Sequence, residues 1–408
     1  MKRRLVTGIG LAFLLVAAVH ADWTGIGPEG GPMYCGTVTA TIPPTVYVAS
    51  TSNNLPLLKT NDGGANWTST AGVLGNYPWA LVAHPTDTNT MFGVISNIFY
   101  RTTDGGSTWS QLYLGNTIGY DLTINPMNPQ VLYAAGYSYD GSSWKLSAMK
   151  TTNAGTNWDT TMLDTAANAY GYSVAIDPVD TTVVYAGGYA GSTSAFYKST
   201  DCGVSWTKIE WPENDYYIYS ILVSPVDHNI VFAGTLYGVC RSTDAGLTWS
   251  QRSTGNYNYR IAVAPDNPDI MYSAAYSMVY RSTDAGLNWT WSNSGIQGTN
   301  VRFVLTVPGE TGAVYCGSTA GMFKSTDYGQ TWTAVNRGIV IGKIPVVAFD
   351  PSEPGTAYAE FIDNAIFKTT DDGLSWAPQP TVLSCGNVCN IIIQPDNPQR
   401  RWMFEASG

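Results

Sequence analysis

The chain has 408 residues and carries 42 Gly, 22 Pro, 26 Tyr and 14 Trp beside only 12% charged side chains. Turn formers and aromatics in these amounts fit many short strands, and the length suffices for one large β domain or two smaller ones. A formal charge of −10, with no Lys/Arg cluster after the first residues, excludes nucleic acid as the partner.

The N-terminus comes first. Lys2, Arg3 and Arg4 precede an apolar run from Leu5 to Val19 and a Val19-His20-Ala21 triplet, the pattern of a secretory signal peptide over residues 1–21. Leu5-Val6-Thr7 behind the arginine pair favours the general export route over twin-arginine export, and no Cys follows the cleavage point to take a lipid. No later stretch approaches the roughly 20 apolar residues of a membrane span. The mature chain, 22–408, is therefore expected as a monomer that is secreted, periplasmic or on the cell surface.

Asp22-Trp23-Thr24 looks like the outer strand of a unit that lacks its first three, and such a strand would complete the last blade of a ring. Strand-like runs follow at Thr37–Ile42 and Thr45–Ala49, separated by Pro43-Pro44. Then a nine-residue box begins: basic residue, Ser/Thr, Thr or Asn, Asp, any, Gly, any, Ser/Thr/Asn, Trp. It recurs eight times, starting at Lys59, Arg101, Lys150, Lys198, Arg241, Arg281, Lys324 and Lys368. Its fourth position is Asp62, Asp104, Asn153, Asp201, Asp244, Asp284, Asp327 and Asp371. An Asp or Asn oxygen that accepts backbone N–H groups one and two residues on, with a Gly of positive φ behind it, makes a self-locking hairpin turn. These eight residues are thus assigned to scaffold, since a catalytic carboxylate is not needed eight times.

Between boxes the order repeats. A strand ends near a turn proline (Pro85, Pro126, Pro178, Pro225, Pro265, Pro308, Pro351, Pro395), a Val-Tyr-Ala-Gly type of strand follows, and a third strand runs into the box. The box tryptophans, Trp67 to Trp376, lie 40 to 49 residues apart. Four strands at that period predict an all-β chain, a β-propeller with eight full blades and an incomplete ninth unit from Val388 onward. Either this unit is a vestigial piece after eight full blades or the chain is truncated at its C-terminus, and truncation is the favoured expectation.

The box matches the S/T-x-D-x-G-x-T-W pattern, so the chain resembles the Asp-box (BNR) propeller superfamily over essentially all of 22–408. That group includes sialidases, two-propeller xyloglucanases, sortilin-type receptors, a photosystem II assembly factor and many exported bacterial proteins. The resemblance implies the fold and leaves the activity open. Sialidases carry Phe/Tyr-Arg-Ile-Pro ahead of the first box, and this chain does not: its Ile344-Pro345 follows Lys343. Xyloglucanases work with two acids in a cleft. The acids outside boxes and turns are few, and Asp121 and Asp215 are the weak catalytic candidates.

Six scattered Cys and three His, one of them in the leader, offer no metal site, and no cofactor is expected. A seam across the ring would place Cys35 near Cys385 or Cys389. The more specific signal is aromatic. Counting back six residues from the turn prolines reaches Trp79, Tyr120, Tyr172, Tyr219, Tyr259 and then Arg302. Counting back eight reaches Tyr77, Tyr170, Tyr217 and Tyr257. Residues two apart share a strand face, so these predict paired aromatic rows near the mouth of an axial channel. The expected function is a non-catalytic propeller binding a polysaccharide or an extracellular protein. The alternatives are a glycoside hydrolase of the xyloglucanase type and a purely structural surface module.

Overall fold

The computed structural model describes residues 31–408 apart from 51–55, 74–76, 113–116, 165, 192, 213–216, 253–254, 256, 277, 297–299, 338, 340–345, 351, 362–364, 372–375, 379–387, 394–400 and 406–408. The leader, Trp23 and Cys385 lie outside the described residues, as does the side chain of Cys389. Among the described residues there is no helix. There are eight four-stranded antiparallel sheets, each in sequence order, and one two-stranded sheet made of Val388–Ile393 and Arg401–Glu405. These sheets are the predicted blades, numbered here 1 to 8 in chain order.

Each box builds its turn in one way. In blade 1, Thr60 Oγ1 donates to Asp62 (2.7 Å) and accepts the N–H of Gly64 (3.0 Å), while Asp62 accepts the N–H of Asn66 at 3.0 Å. Blades 2 to 7 repeat these bonds, with Asn153 standing in for Asp in blade 3. The carboxylate therefore reaches four residues on, not one or two. The reason is that two consecutive residues, such as Ala285 (φ 54°) and Gly286 (φ 77°), take left-handed conformations and curl the chain back toward the Asp. These donors dominate the carboxyl chemistry. Side chains four residues on hold Asp62, Asp104 and Asp201 at a pKa of about 2, and at Asp244 and Asp327 hydrogen bonds outweigh burial to reach about 2.

The first strand of each blade is innermost, and the first strands pack side by side. Met33–Val38 packs on Pro78–Ala83, then follow Thr117–Ile124, Tyr170–Ile176, Ile218–Val223, Asn258–Ala264 and Phe303–Thr306, which packs back on Met33–Val38. The circuit thus closes through blades 1 to 7. The seam reuses ordinary contacts between blades: Trp67 N–H donates to Arg337 O at 2.8 Å, as Trp332 N–H does to Ser294 O between blades 6 and 7. Lys324 Nζ reaches Gly63 O at 3.2 Å across the seam, the counterpart of Lys198 Nζ to Ala245 O. Blade 1 has its own four strands, so closure comes from packing and no borrowed strand is required.

Blade 8 (Val346–Phe349, Ala357–Phe361, Ala365–Thr369, Ala377–Pro378) stands outside this circuit. Its first strand packs on Val388–Ile393 of the two-stranded sheet, and Phe367 is buried in the apolar cluster of Phe323 and Trp332.

Candidate functional site

Near the start of the first strand in blades 1 to 6, the ladder to the second strand skips one residue. The skipped residues are Tyr34, Trp79, Tyr120, Tyr172, Tyr219 and Tyr259. A β-bulge leaves its extra residue outside the ladder and re-aims that side chain. Arg302 holds the same place in blade 7, directly ahead of Phe303–Thr306, with its N–H on Gly317 O at 3.0 Å. The bulge also crowds the second strand. A Cβ on Gly136 would collide with the carbonyl of Ile118, and one on Gly188 with that of Tyr170, so glycine is required there.

These seven side chains touch one another all the way round the axis. Ring centroids are 6.3 Å apart for Tyr34–Trp79, 5.0 Å for Trp79–Tyr120, 5.1 Å for Tyr120–Tyr172, 5.9 Å for Tyr172–Tyr219 and 5.5 Å for Tyr219–Tyr259. The Arg302 guanidinium completes the crown, 4.6 Å from the Tyr259 ring centre and 4.7 Å from that of Tyr34. All seven are half-buried, and all line a cavity of about 490 Å³. Burial raises the phenol pKa values of Tyr120, Tyr172 and Tyr219, and holds Tyr259 at about 12 against the pull of Arg302. The crown therefore presents neutral O–H groups and one cation.

The second aromatic row does not lie wholly within the strands. Tyr77 and Tyr257 take positive φ (57° each) just before their strands begin, which breaks the two-residue alternation. Three rings of this row still lie against the crown: Tyr217 stacks on Tyr219 at 5.6 Å and 15°, Tyr257 lies 6.0 Å from Tyr259, and Tyr170 lies 6.5 Å from Tyr172. Tyr217 and Tyr257 line the cavity, with Tyr257 exposed at its rim.

One residue further along the innermost strands lies a polar layer. Asp121 of blade 3 is 4% exposed, accepts the Val174 N–H at 3.1 Å, and forms an ion pair with Arg260 of blade 6 at 3.4 Å. Asp121 is the one carboxylate among the described residues lining the cavity. Cys35 lies in the same layer as a free thiol, with its pKa pushed up to about 12 by burial, so it stays protonated near neutral pH. Asp215 falls outside the described residues. Among those described, no group of three potential metal ligands occurs.

The six predicted ligand-binding residues are thus brought together, while Tyr34 escaped the sequence reading. The turn after the first strand of blade 1 is as long as in blade 2, but it carries Ala40 where the other blades have their turn proline, and its own Pro43 stands nine residues after Tyr34 instead of six. The box residues sit apart from this cavity, in the turns between third and fourth strands.

The architecture is that of a β-propeller with an aromatic-lined cavity on its axis. No family model matches the chain, and no curated protein matches it in sequence. Solved structures do share its fold. An ancestral GH74 enzyme superposes with a TM-score of 0.68 at 17% identity, over 91% of this chain and 58% of the other. A GH74 enzyme from Niastella koreensis gives 0.60 at 16%, over 90% and 69%. YCF48 from Cyanidioschyzon merolae gives 0.54 at 17%, over 73% and 96%. The chain thus spans less than two thirds of the first of these enzymes, and at such identities the likeness is one of fold.

Proposed function

We propose that this chain is an exported, non-catalytic β-propeller that binds an extended polysaccharide, a β-glucan or a related plant or microbial polymer, at the mouth of its axial cavity. The closed crown of six aromatic side chains and Arg302 around about 490 Å³ carries this reading. Tyr and Trp offer a flat apolar face to the C–H side of a sugar ring and a polar edge to its hydroxyls, each contact contributing on the order of 1 kcal/mol. Several such contacts reach micromolar affinity, about 8 kcal/mol. Glycoside hydrolysis requires two carboxyls about 5 to 10 Å apart. Asp121 is instead engaged by Arg260 and a backbone N–H, which favours binding over cleavage.

A peptide is the second class of occupant, since YCF48 has been solved bound to D1 peptide on a similar fold (15% identity, TM-score 0.53). The test is binding to a polysaccharide array and titration of the hits. Trp79→Ala and Tyr259→Ala are each expected to weaken binding by roughly fivefold, the loss of one stacking contact, with no reducing sugar released. An array without binding would end the polysaccharide reading. Release of reducing sugar that disappears in Asp121→Asn would put the hydrolase in its place.

A further inference from the structure

Six of the seven places in the crown hold neutral aromatic side chains, and the seventh holds Arg302. Its guanidinium lies between the rings of Tyr259 and Tyr34, and no carboxylate among the described residues forms an ion pair with it. The other cavity cation, Arg260, is different. Both of its terminal nitrogens point at the single Asp121 Oδ1, 3.4 Å away, and Asp121 Oδ2 takes the Val174 N–H. One cation and one anion therefore cancel, and Arg302 leaves the described lining with one net positive charge. The chain as a whole is acidic, at −10. At physiological ionic strength charges beyond about 8 Å are largely screened, so a ligand group inside the cavity responds to Arg302 more than to the distant surface.

A guanidinium flanked by two rings and without a carboxylate partner among the described residues has N–H donors for a third group, and their fork matches a carboxylate. We infer that the polymer bound at the crown is acidic, a uronic-acid-containing polysaccharide whose carboxylate pairs with Arg302 while neighbouring sugar rings stack on Trp79, Tyr120 and Tyr172. This rests on the polysaccharide reading of the same cavity. Stacking alone does not distinguish a uronate from its neutral ester, because both present the same ring face. The arginine does.

The experiment is calorimetric titration of the full chain with a uronic acid oligosaccharide and with its methyl ester, at low and moderate salt. The acid is expected to bind at least about tenfold more tightly than the ester, the worth of a charge-assisted hydrogen bond, and the ratio should shrink as salt rises. Arg302→Gln is expected to bring the two affinities together, and Arg302→Lys to restore part of the gap. Thermal melts of both variants report whether the crown still folds. If acid and ester bind alike to the unaltered chain, the acidic assignment fails and the polysaccharide reading stands. If no saccharide of either kind binds, both fail. Binding of a short acidic peptide without binding of the uronate would overturn the saccharide class.

Discussion

Blade 8 and blades 1 to 7 share one repeat, yet their surroundings differ. In the circuit, the innermost strand of each blade packs between two neighbours and contributes to the cavity wall. In blade 8 the same strand leaves Val347 48% and Phe349 76% exposed, and contributes nothing to that wall. The box turn is nevertheless begun in the same manner, with Thr369 Oγ1 donating to Asp371 at 2.7 Å. The repeat therefore encodes a sheet, and membership of the ring is a separate matter. It depends on which blade offers the face that fits. After blade 7 the box of blade 1, through Trp67, takes up the hydrogen bond at Arg337 O that the register of the repeat would pass to the next blade.

The largest test of this contrast is at the two outermost box tryptophans. Trp67 is 3% exposed at the seam, so Trp67→Ala is expected to cost about 3 to 5 kcal/mol, as for other large core truncations. Trp376→Ala, in the half-buried Trp of blade 8, should cost less than half as much in chemical denaturation. Equal losses would show that blade 8 carries the ring as much as the seam does.

A smaller effect is expected at the carboxylates. Asp284→Ala removes acceptors for Ser282 Oγ and for the Asn288 N–H and side chain, and should lower stability by roughly 1 to 2 kcal/mol without altering saccharide binding. Asp371→Ala, outside the ring, should shift the main transition less. Lost binding with an unchanged melting temperature in Asp284→Ala would put the box in the site and remove it from the scaffold.

The smallest effect concerns pH. Asp62, Asp104, Asp201, Asp244 and Asp327 have carboxyl pKa values near 2 in the fold, against about 4 in an unfolded chain. Their folded values are depressed, so their contribution is whole above about pH 4 and is lost as pH falls toward 2. Thermal melts should show the transition dropping across that window. Asp244→Asn, which copies the titration-free arrangement of Asn153, should flatten the drop slightly. A melting temperature constant from pH 5 to 2 would remove the linkage.

Much of this was legible in the chain because each blade is a local object. The box fixes its hairpin with residues no more than four apart, and the turn proline marks the hairpin before it. The crown was nearly legible too, since a constant count from proline to bulge tracks Trp79 through Arg302. Tyr34 was lost because Ala40 stands where the other blades have the turn proline, and the bulge itself left no trace except, in blades 3 to 5, a Gly in the facing strand. Closure was the least legible feature. It is set by how seven small rotations between blades add up, and no single residue encodes a sum. One clue was present: the same count back from Pro351 falls on Pro345, which carries no aromatic ring. The ion pair of Asp121 with Arg260 joins residues 139 positions apart, beyond the reach of any local pattern.

The bulges carry a consequence for how such a molecule changes over time. A residue inside a ladder answers to its partners on both sides, and a substitution there disturbs the sheet. A bulge residue has left the ladder, so its side chain answers chiefly to whatever occupies the axis. Six such places and the matching position of Arg302 surround one cavity, each on a blade that folds by its own turn. The recognition surface is thereby written in a separate alphabet from the scaffold, and one letter can be exchanged at a time. Arg302 among six aromatics is what a single exchanged letter looks like.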